Sequence, residues 1–242
     1  MIILSTAYLA PIHFYARLYA AREAVVDIHE HYVKQTYRNR CCIATPQGVL
    51  ALTVPVVRNK DGRGSICEVE VSSHGNWRHL HWNALVSAYE RSPFFEFYAD
   101  DFKRVLDTDF RLLTDLNRAF HELVVELLEL DCHVQESTNY QTARPGDLDL
   151  REVISPKAPS NADAAFHPAP YYQVFADRTG FLPNLSIADL LFNMGPESRL
   201  ILRDSLTGRF LDACRTGSSE RMPNGRFSVR RIFPNKGAES TP

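Results

Sequence analysis

The sequence predicts a single α/β domain: a mixed β-sheet in the N-terminal part, with a helix-rich second half packed on it. Three observations lead there. Over residues 1–57, short β-branched runs alternate with one segment of helical spacing. From residue 77 onward the apolar spacing is helical over most of the chain. The chain has 242 residues, 45% hydrophobic and 23% charged, which is a globular composition with enough apolar side chains for a core.

Each element has a local reason. Met1 to Leu4 is an apolar run and reads as a strand. Pro11 suits the first position of a helix, where its missing N–H needs no partner. Phe14 with Leu18, and Tyr15 with Tyr19, then follow helical spacing. Ala24 to Ile28 reads as a second strand, paired in parallel with the first through a right-handed crossover. Cys41–Ala44 and Val49–Val57 are strand-like and flank the turn signal Pro46-Gln47-Gly48. A loop at 59–64 leads to a strand over Ile66–Val71, so these three strands predict an antiparallel meander.

Helices follow. Trp77, Leu80, Ala84, Leu85 and Ala88 share one face, while Trp82, Val86 and Tyr89 cover much of the other, which predicts a helix buried on most sides. Pro93 interrupts it, and a short aromatic helix runs to Asp101. Phe110–Leu130 carries the clearest stripe, from Leu113 through Leu127. Residues 131–170 read as one or two strands within long loops. Ser186 and Asp189 form a capping-box pattern for a helix to Asn193. Gly195 ends that helix, and Pro196 opens another to about Leu206. The domain therefore spans 1–206. Residues 207–242 form a basic, Arg-, Ser-, Gly- and Pro-rich tail expected to be disordered; residues 200–242 hold eight Lys/Arg against four Asp/Glu.

Charge and cysteine content bound the function classes. A net charge of −2 gives no field that gathers nucleic acid. No apolar run is long enough for a membrane span. The apolar N-terminus lacks the basic region of a secretory signal, and five cysteines without framework spacing fit a reducing cytoplasm. The phosphate-loop, dinucleotide, nucleophile-elbow and zinc-protease signatures are absent. Cys41, Cys42, Cys67 and Cys132 read as small core residues. His29 and His31, spaced two apart, could hold a metal only with a third ligand such as His13. They read more simply as polar residues at a strand end, so neither a metal nor a cofactor is expected.

The candidate chemistry lies elsewhere. His81 sits among apolar residues one turn after Trp77, which reads either as a hydrogen-bonded core histidine or as a general base at a cleft wall. The run 31–40 concentrates Tyr32, Lys34, Tyr37, Asn39 and Arg40, a set suited to sugars, phosphates or bases. Ser5–Tyr8 and Pro183–Ser186 each precede a helix start. The loops at 5–11, 32–40 and 183–189 are expected to approach one cleft near His81.

These segments together resemble the WbqC-like protein family. The opening Q-P-x-Y-x-P-like motif of the family is met by Tyr8 and Pro11, with Thr6-Ala7 in place of Gln-Pro. The next segment, D-D-V-Q-[FY]-x-K leading to N-R, is met by Tyr32, Lys34, Asn39 and Arg40, with Ile28-His29 replacing the acids and His31 the glutamine. Leu52-Thr53-Val54-Pro55-Val56 matches the L-T-[VI]-P-V strand in full. His81-Trp82, Tyr89 and Pro93-Phe94-Phe95 follow the helical motif. Pro183 through Glu197 follow P-x-L-S-[IA]-x-D-L-L-[FM]-N-x-G-P-E. A glycine-rich segment of longer members is missing between 130 and 170.

The resemblance implies a bacterial protein of surface-polysaccharide or O-antigen biosynthesis, with an acyl- or aminoacyl (glycine) transfer role. Under that implication His81 is the base and Asp189 orients it. Lys34 and Arg40 hold an anionic group, Tyr8 and Tyr89 line the pocket, and Asn39 and Asn184 donate hydrogen bonds. The partners would be small molecules: an activated acyl donor, and a sugar or nucleotide sugar. Two other readings stay open. One is a non-enzymatic sugar-nucleotide-binding or pathway-assembly protein. The other is a hydrolase using Cys and His.

Overall fold

The computed structural model describes residues 1–21, 23–57 and 64–207. β1 (Ile2–Ser5) is apolar and buried on both faces, as befits a central parallel strand. The chain leaves its carboxyl end, turns at Leu9 with φ 41° and enters α1 (Ile12–Ala21). It returns as β2 (Glu23–Asp27), parallel to β1 and in register from Ile2 opposite Ala24 to Ser5 opposite Asp27.

β3 (Arg40–Thr45) and β4 (Gly48–Thr53) form an antiparallel hairpin. β5 (Val56–Val57) pairs separately with β6 (Glu70–Val71). Three helices follow: α2 (Trp77–Tyr89), α3 (Phe95–Asp107) and α4 (Leu113–Leu127). β7 (His133–Glu136) and β8 (Leu148–Asp149) then join the first sheet. α5 (Ala176–Thr179), α6 (Ile187–Met194) and α7 (Ser198–Asp204) complete the described chain. The main sheet has four strands in the order β7-β2-β1-β8, all parallel.

Several expectations need correction. The meander breaks into two separate pairs. Pro55 has no N–H for a ladder, and Val54 N–H bonds back to Asn39 O instead. Ile66–Glu68 is a single 3-10 turn, because Ile66 and Cys67 give their N–H groups to Glu30 and Ile28. α3 runs past Asp101 to Asp107, since Phe102, Val105 and Leu106 continue its buried stripe. α4 begins at Leu113 rather than Phe110, because Arg111 O and Leu113 N–H are bonded to the β6 region. On α2 the buried seam is Trp77, His81, Leu85, Ala88 and Tyr89; Leu80 lies off it and is 63% exposed. The sheet also draws β7 and β8 from the second half of the chain, a pairing that their local sequence does not announce. The tail at 208–242 lies outside the described residues.

Long-range polar contacts fix the helices against this sheet. Asn184, itself in the left-handed region at φ 52°, accepts the His13 N–H at 2.9 Å and so caps α1 from far along the chain. Asp163 receives His13 Nε2 and Arg17 Nε, each at 2.6 Å, and a second Arg17 nitrogen. Phe166 stacks on His13, with ring centroids 4.0 Å apart. Ser186 caps α6 by accepting from Ala188 N–H at 3.3 Å. The other half of the expected capping box does not form, because the Asp189 carboxylate is taken by two tyrosines.

Gly195 closes α6 with φ 53°, and a Cβ there would stand 2.5 Å from the Phe94 ring. Gly180 also has positive φ, 68°, but faces open space. Left-handed backbone plus overpacking predicts that Gly195→Ala lowers unfolding free energy by about 2–4 kcal/mol. Gly180→Ala lowers it by only about 1–2 kcal/mol. Urea denaturation of both variants measures the difference, and equal effects would show that Phe94 does not confine Gly195.

Candidate functional site

A four-stranded parallel sheet gathers the loops that leave its carboxyl ends on one edge. In this strand order the chain runs from β1 to β2 on one side, while β8 lies on the other. The crevice beyond β1 and β8 is therefore the topological switch point, the usual ligand position in open parallel sheets. A small pocket opens there, with free space of about 10 Å³, room for roughly one water molecule, lined by Leu4, Ser5, Thr6, Ala7, Phe14, Tyr37, Arg38, Leu150 and Ile154.

Charged and polar groups surround it. Asp27 ends β2 and is wholly buried. It accepts His29 N–H and Ser137 Oγ, each at 2.9 Å, Gln141 N–H at 3.0 Å and Arg151 Nη1 at 2.6 Å. Arg151, just after β8, also grips Asp149 at 2.6 Å and lies 4.9 Å over the Tyr140 ring. These partners hold the Arg151 guanidinium firmly protonated.

Arg38 forks onto Glu30 with two bonds of 2.8 and 2.6 Å, both residues buried. Glu152 stands 3.6 Å from the same guanidinium. Burial pushes the Glu30 carboxyl above the usual range; the Arg38 fork and a Ser5 hydrogen bond oppose the rise. Asn117 donates to Thr6 Oγ1 at 3.1 Å and to Arg38 O at 2.8 Å, while its own carbonyl oxygen is buried without a hydrogen bond. Carboxylates outnumber guanidiniums here, so the crevice is not an anion trap.

The three loops expected to converge do meet. Tyr8 N–H bonds to Tyr37 O, and Pro11 pairs with Ser186. Their junction is packed core, with Tyr8, Leu185 and Ser186 almost without exposure. The Tyr8 hydroxyl meets His81 Nδ1 at 2.9 Å. A backbone hydrogen bond to Thr53 engages the same ring, and burial holds it neutral, down to about 4. Asp189 makes no hydrogen bond to His81 among the described residues. It accepts Tyr89 Oη at 2.7 Å, Tyr171 Oη and Gln173 Nε2 at 3.5 Å. Tyr89 also accepts Ala44 N–H at 3.1 Å.

Of the remaining candidates, Asn39 is buried and donates to Val54 O, and Arg40 bonds to Thr53 Oγ1. Lys34 is exposed, and Asn184 is the α1 cap. Only the 5–11 and 32–40 segments touch the crevice, through Ser5, Thr6, Tyr37 and Arg38. Asp27, Glu30, Asn117 and Arg151 were missed, while Arg38 belongs to the 31–40 run of cations and aromatics but had no role of its own there. A glutamate eight residues before an arginine in one loop was the one available signal.

Two further structural facts bear on function. No group of three or more His, Cys, Asp or Glu among the described residues is arranged to hold a metal. Among them, no helix is long and apolar enough to cross a membrane. Comparison with known proteins gives the family. Residues 6–156 match the model of the WbqC-like protein family, so the chain belongs to it. It is 28% identical to the uncharacterized protein Rv1507c of Mycobacterium tuberculosis, over 75% of this chain and 87% of that protein. No solved structure matches it.

The buried titratable groups set a pH dependence. Burial lowers His81 and His121 from 6.5 to about 4, and lowers His13 in the same direction. Between about 4 and 6.5 the unfolded chain therefore binds protons that the folded chain refuses, and stability falls on acidification. Each of His81 and His121 contributes a loss of about 3 kcal/mol by pH 4. Asp189 acts oppositely: burial lifts it from 3.8 to about 6, so between those values the folded chain holds a proton that the unfolded chain has lost. Glu30 shares that sign. The histidines outweigh the two acids, so the melting temperature falls from pH 6.5 to 4.5. His81→Gln flattens this fall and Asp189→Asn steepens it, as thermal melts across that window would register. A slope unchanged in both variants would sink the assignment.

Proposed function

For this member of the WbqC-like family, we propose that the strand-end crevice binds a sugar-type small molecule and that the protein transfers an acyl or aminoacyl group to it. The setting implied by the family resemblance is surface-polysaccharide assembly, O-antigen included. The observation that carries the reading is the Arg38–Glu30 fork beside the Ser5 and Thr6 hydroxyls, on a pocket walled by Tyr37 and Phe14.

The chemistry follows from the groups. Each sugar hydroxyl both donates and accepts; the pocket wall offers the Arg38 guanidinium and the Ser5, Thr6 and Tyr37 hydroxyls, with the Glu30 carboxylate directly behind Arg38. An aromatic wall suits the apolar face of a sugar ring. Excess carboxylate favours a neutral polyol, or the ammonium of an aminoacyl group, over a phosphate in the pocket itself. Acyl transfer also needs a base to take the acceptor's proton. Glu30 fits that role, because burial raises its carboxyl and it is bonded to Arg38 of the pocket wall.

A second placement of the base is favoured by one contact, the Tyr8–His81 hydrogen bond. There His81 takes the proton with Tyr8 beside it, and Asp189, Tyr89, Lys34, Asn39, Arg40 and Asn184 keep the roles that the family resemblance implies. This requires the packed junction to open, just as a sugar in the crevice requires the small pocket at the strand ends to widen. The non-enzymatic alternative is a sugar-nucleotide binder that shares the crevice and does not turn over.

Thermal shift of the full chain against monosaccharides, nucleotide sugars, coenzyme A thioesters and amino acids tests these readings. A ligand at about 100 times its dissociation constant stabilises by about 2.7 kcal/mol. We expect a shift with a sugar ligand that Thr6→Val and Glu30→Gln weaken by about tenfold in affinity, the cost of one or two lost hydrogen bonds. His81→Gln leaves binding intact. Loss of binding only in His81→Gln would move the site to the packed junction. Binding without acyl transfer from any donor would identify the binder.

A further inference from the structure

Outside the crevice, the clearest reactive pair is Cys67 with His29. The segment after residue 64 lies antiparallel against the loop that follows β2. Ile66 N–H bonds to Glu30 O at 2.9 Å, Cys67 N–H bonds to Ile28 O at 3.0 Å, and Ser65 bridges His31. This pairing sets Cys67 beside His29, with Sγ 3.8 Å from Nδ1. The thiol also donates to Ser65 Oγ at 3.3 Å, and Ser65 Oγ in turn donates to Ile28 O. Both Cys67 and His29 are half-buried and reachable from solvent.

The other described thiols lack such a base. Cys41 is buried, and burial pushes Cys41 and Cys42 up and Cys132 to about 11. The pair is also tied to the crevice. His29 N–H bonds to Asp27 Oδ1, the buried carboxylate that holds Arg151, and Glu30 is the next residue along. His29 thus belongs to the same loop as Glu30, whose carboxylate is paired with the pocket-lining Arg38.

We propose that Cys67 is a nucleophilic thiol with His29 as its base, and that it accepts an acyl group from an activated thioester donor. Cys67 Sγ attacks the donor's carbonyl carbon as its proton passes to His29. The tetrahedral adduct collapses, the bond from that carbon to the donor sulfur breaks, and His29 returns the proton to the departing thiolate. The products are a Cys67 thioester and a free thiol, with no change of oxidation state. Transfer onward to a sugar hydroxyl forms a C–O bond, breaks the C–S bond and passes the hydroxyl's proton through the base to the released Cys67 thiolate. That second step rests on the group-transfer reading above; the first does not.

Limiting iodoacetamide on the full chain, followed by peptide mapping, tests the activated thiol. We expect Cys67 to be labelled fastest, and His29→Gln to slow it about tenfold while Cys132 is unaffected. Acetyl coenzyme A is the second probe. An acetyl adduct on Cys67 that hydroxylamine removes, and that is absent from Cys67→Ala, supports the proposal. Cys67 labelling no faster than Cys132, indifference to His29→Gln, or no adduct on the Cys67 peptide would each overturn it. Sugar binding measured in Cys67→Ala keeps the two readings apart. An acylated Cys67 without sugar binding sinks the crevice reading alone, and sugar binding without acylation sinks the Cys67 proposal alone.

Discussion

Asp27 ends a parallel strand with a carboxylate that has no exposure to water. A buried carboxylate is tolerable only when its oxygens are fully engaged, and four donors from four separated segments meet it: His29, Ser137, Gln141 and Arg151. These segments are the loop after β2, the end of β7, the loop between β7 and β8, and the residues after β8. One charge therefore pins the carboxyl edge of the whole sheet. The arrangement costs stability relative to apolar packing, since a buried ion pair recovers its desolvation only with good geometry. What it provides is position: Arg151 and the 28–31 loop are held where a ligand entering the switch point would meet them.

A second set of buried polar contacts does the same for the helices. Tyr8 reaches α2 through His81, and Asp189 on α6 reaches α2 through Tyr89. Asn184 reaches α1, and Ser186 Oγ bonds to Leu9 O. The Tyr8 and Leu9 contacts anchor the 5–11 loop. Thr6, which lines the pocket, therefore sits between β1 and an anchored loop, and Asn117 of α4 fixes its hydroxyl. The catalytic-looking residues of the sequence motif thus act, in this geometry, as a rigid frame behind the crevice.

The fold was legible in the sequence to the degree that it is local. Strand β1, helix α1 and strand β2 follow from apolar runs and Pro11, and their parallel pairing follows from the helix between them. The stripe of α4 and the Gly195-Pro196 boundary are equally local. β7 and β8 were not assignable to the sheet, because Glu23–His133 and Ile2–Leu148 pairing is set by tertiary packing across more than a hundred residues. The site divided along the same line. Tyr8, Asn39 and His81 stood out by composition, but their burial was invisible. Asp27, Asn117 and Arg151 were ordinary polar residues until the sheet brought them together. Cys67 lacked a base in the sequence because His29 lies 38 residues away and meets it only through a backbone pairing.

The contrast between the two acidic sites bears on which one does chemistry. Asp189 has two tyrosine hydroxyls, a glutamine and no cation, and is sealed behind side chains. Its proton balance responds to pH, yet no reactant can reach it without unpacking the core. Glu30 is also buried, but its arginine partner forms part of a pocket wall and its serine neighbour another. A base has to be desolvated to have a raised proton affinity, and within reach of the group it deprotonates. Glu30 meets the first requirement and is bonded to Arg38 of the pocket wall, whereas Asp189 meets the first alone. Placing the chemistry at the strand ends therefore follows from access as much as from charge.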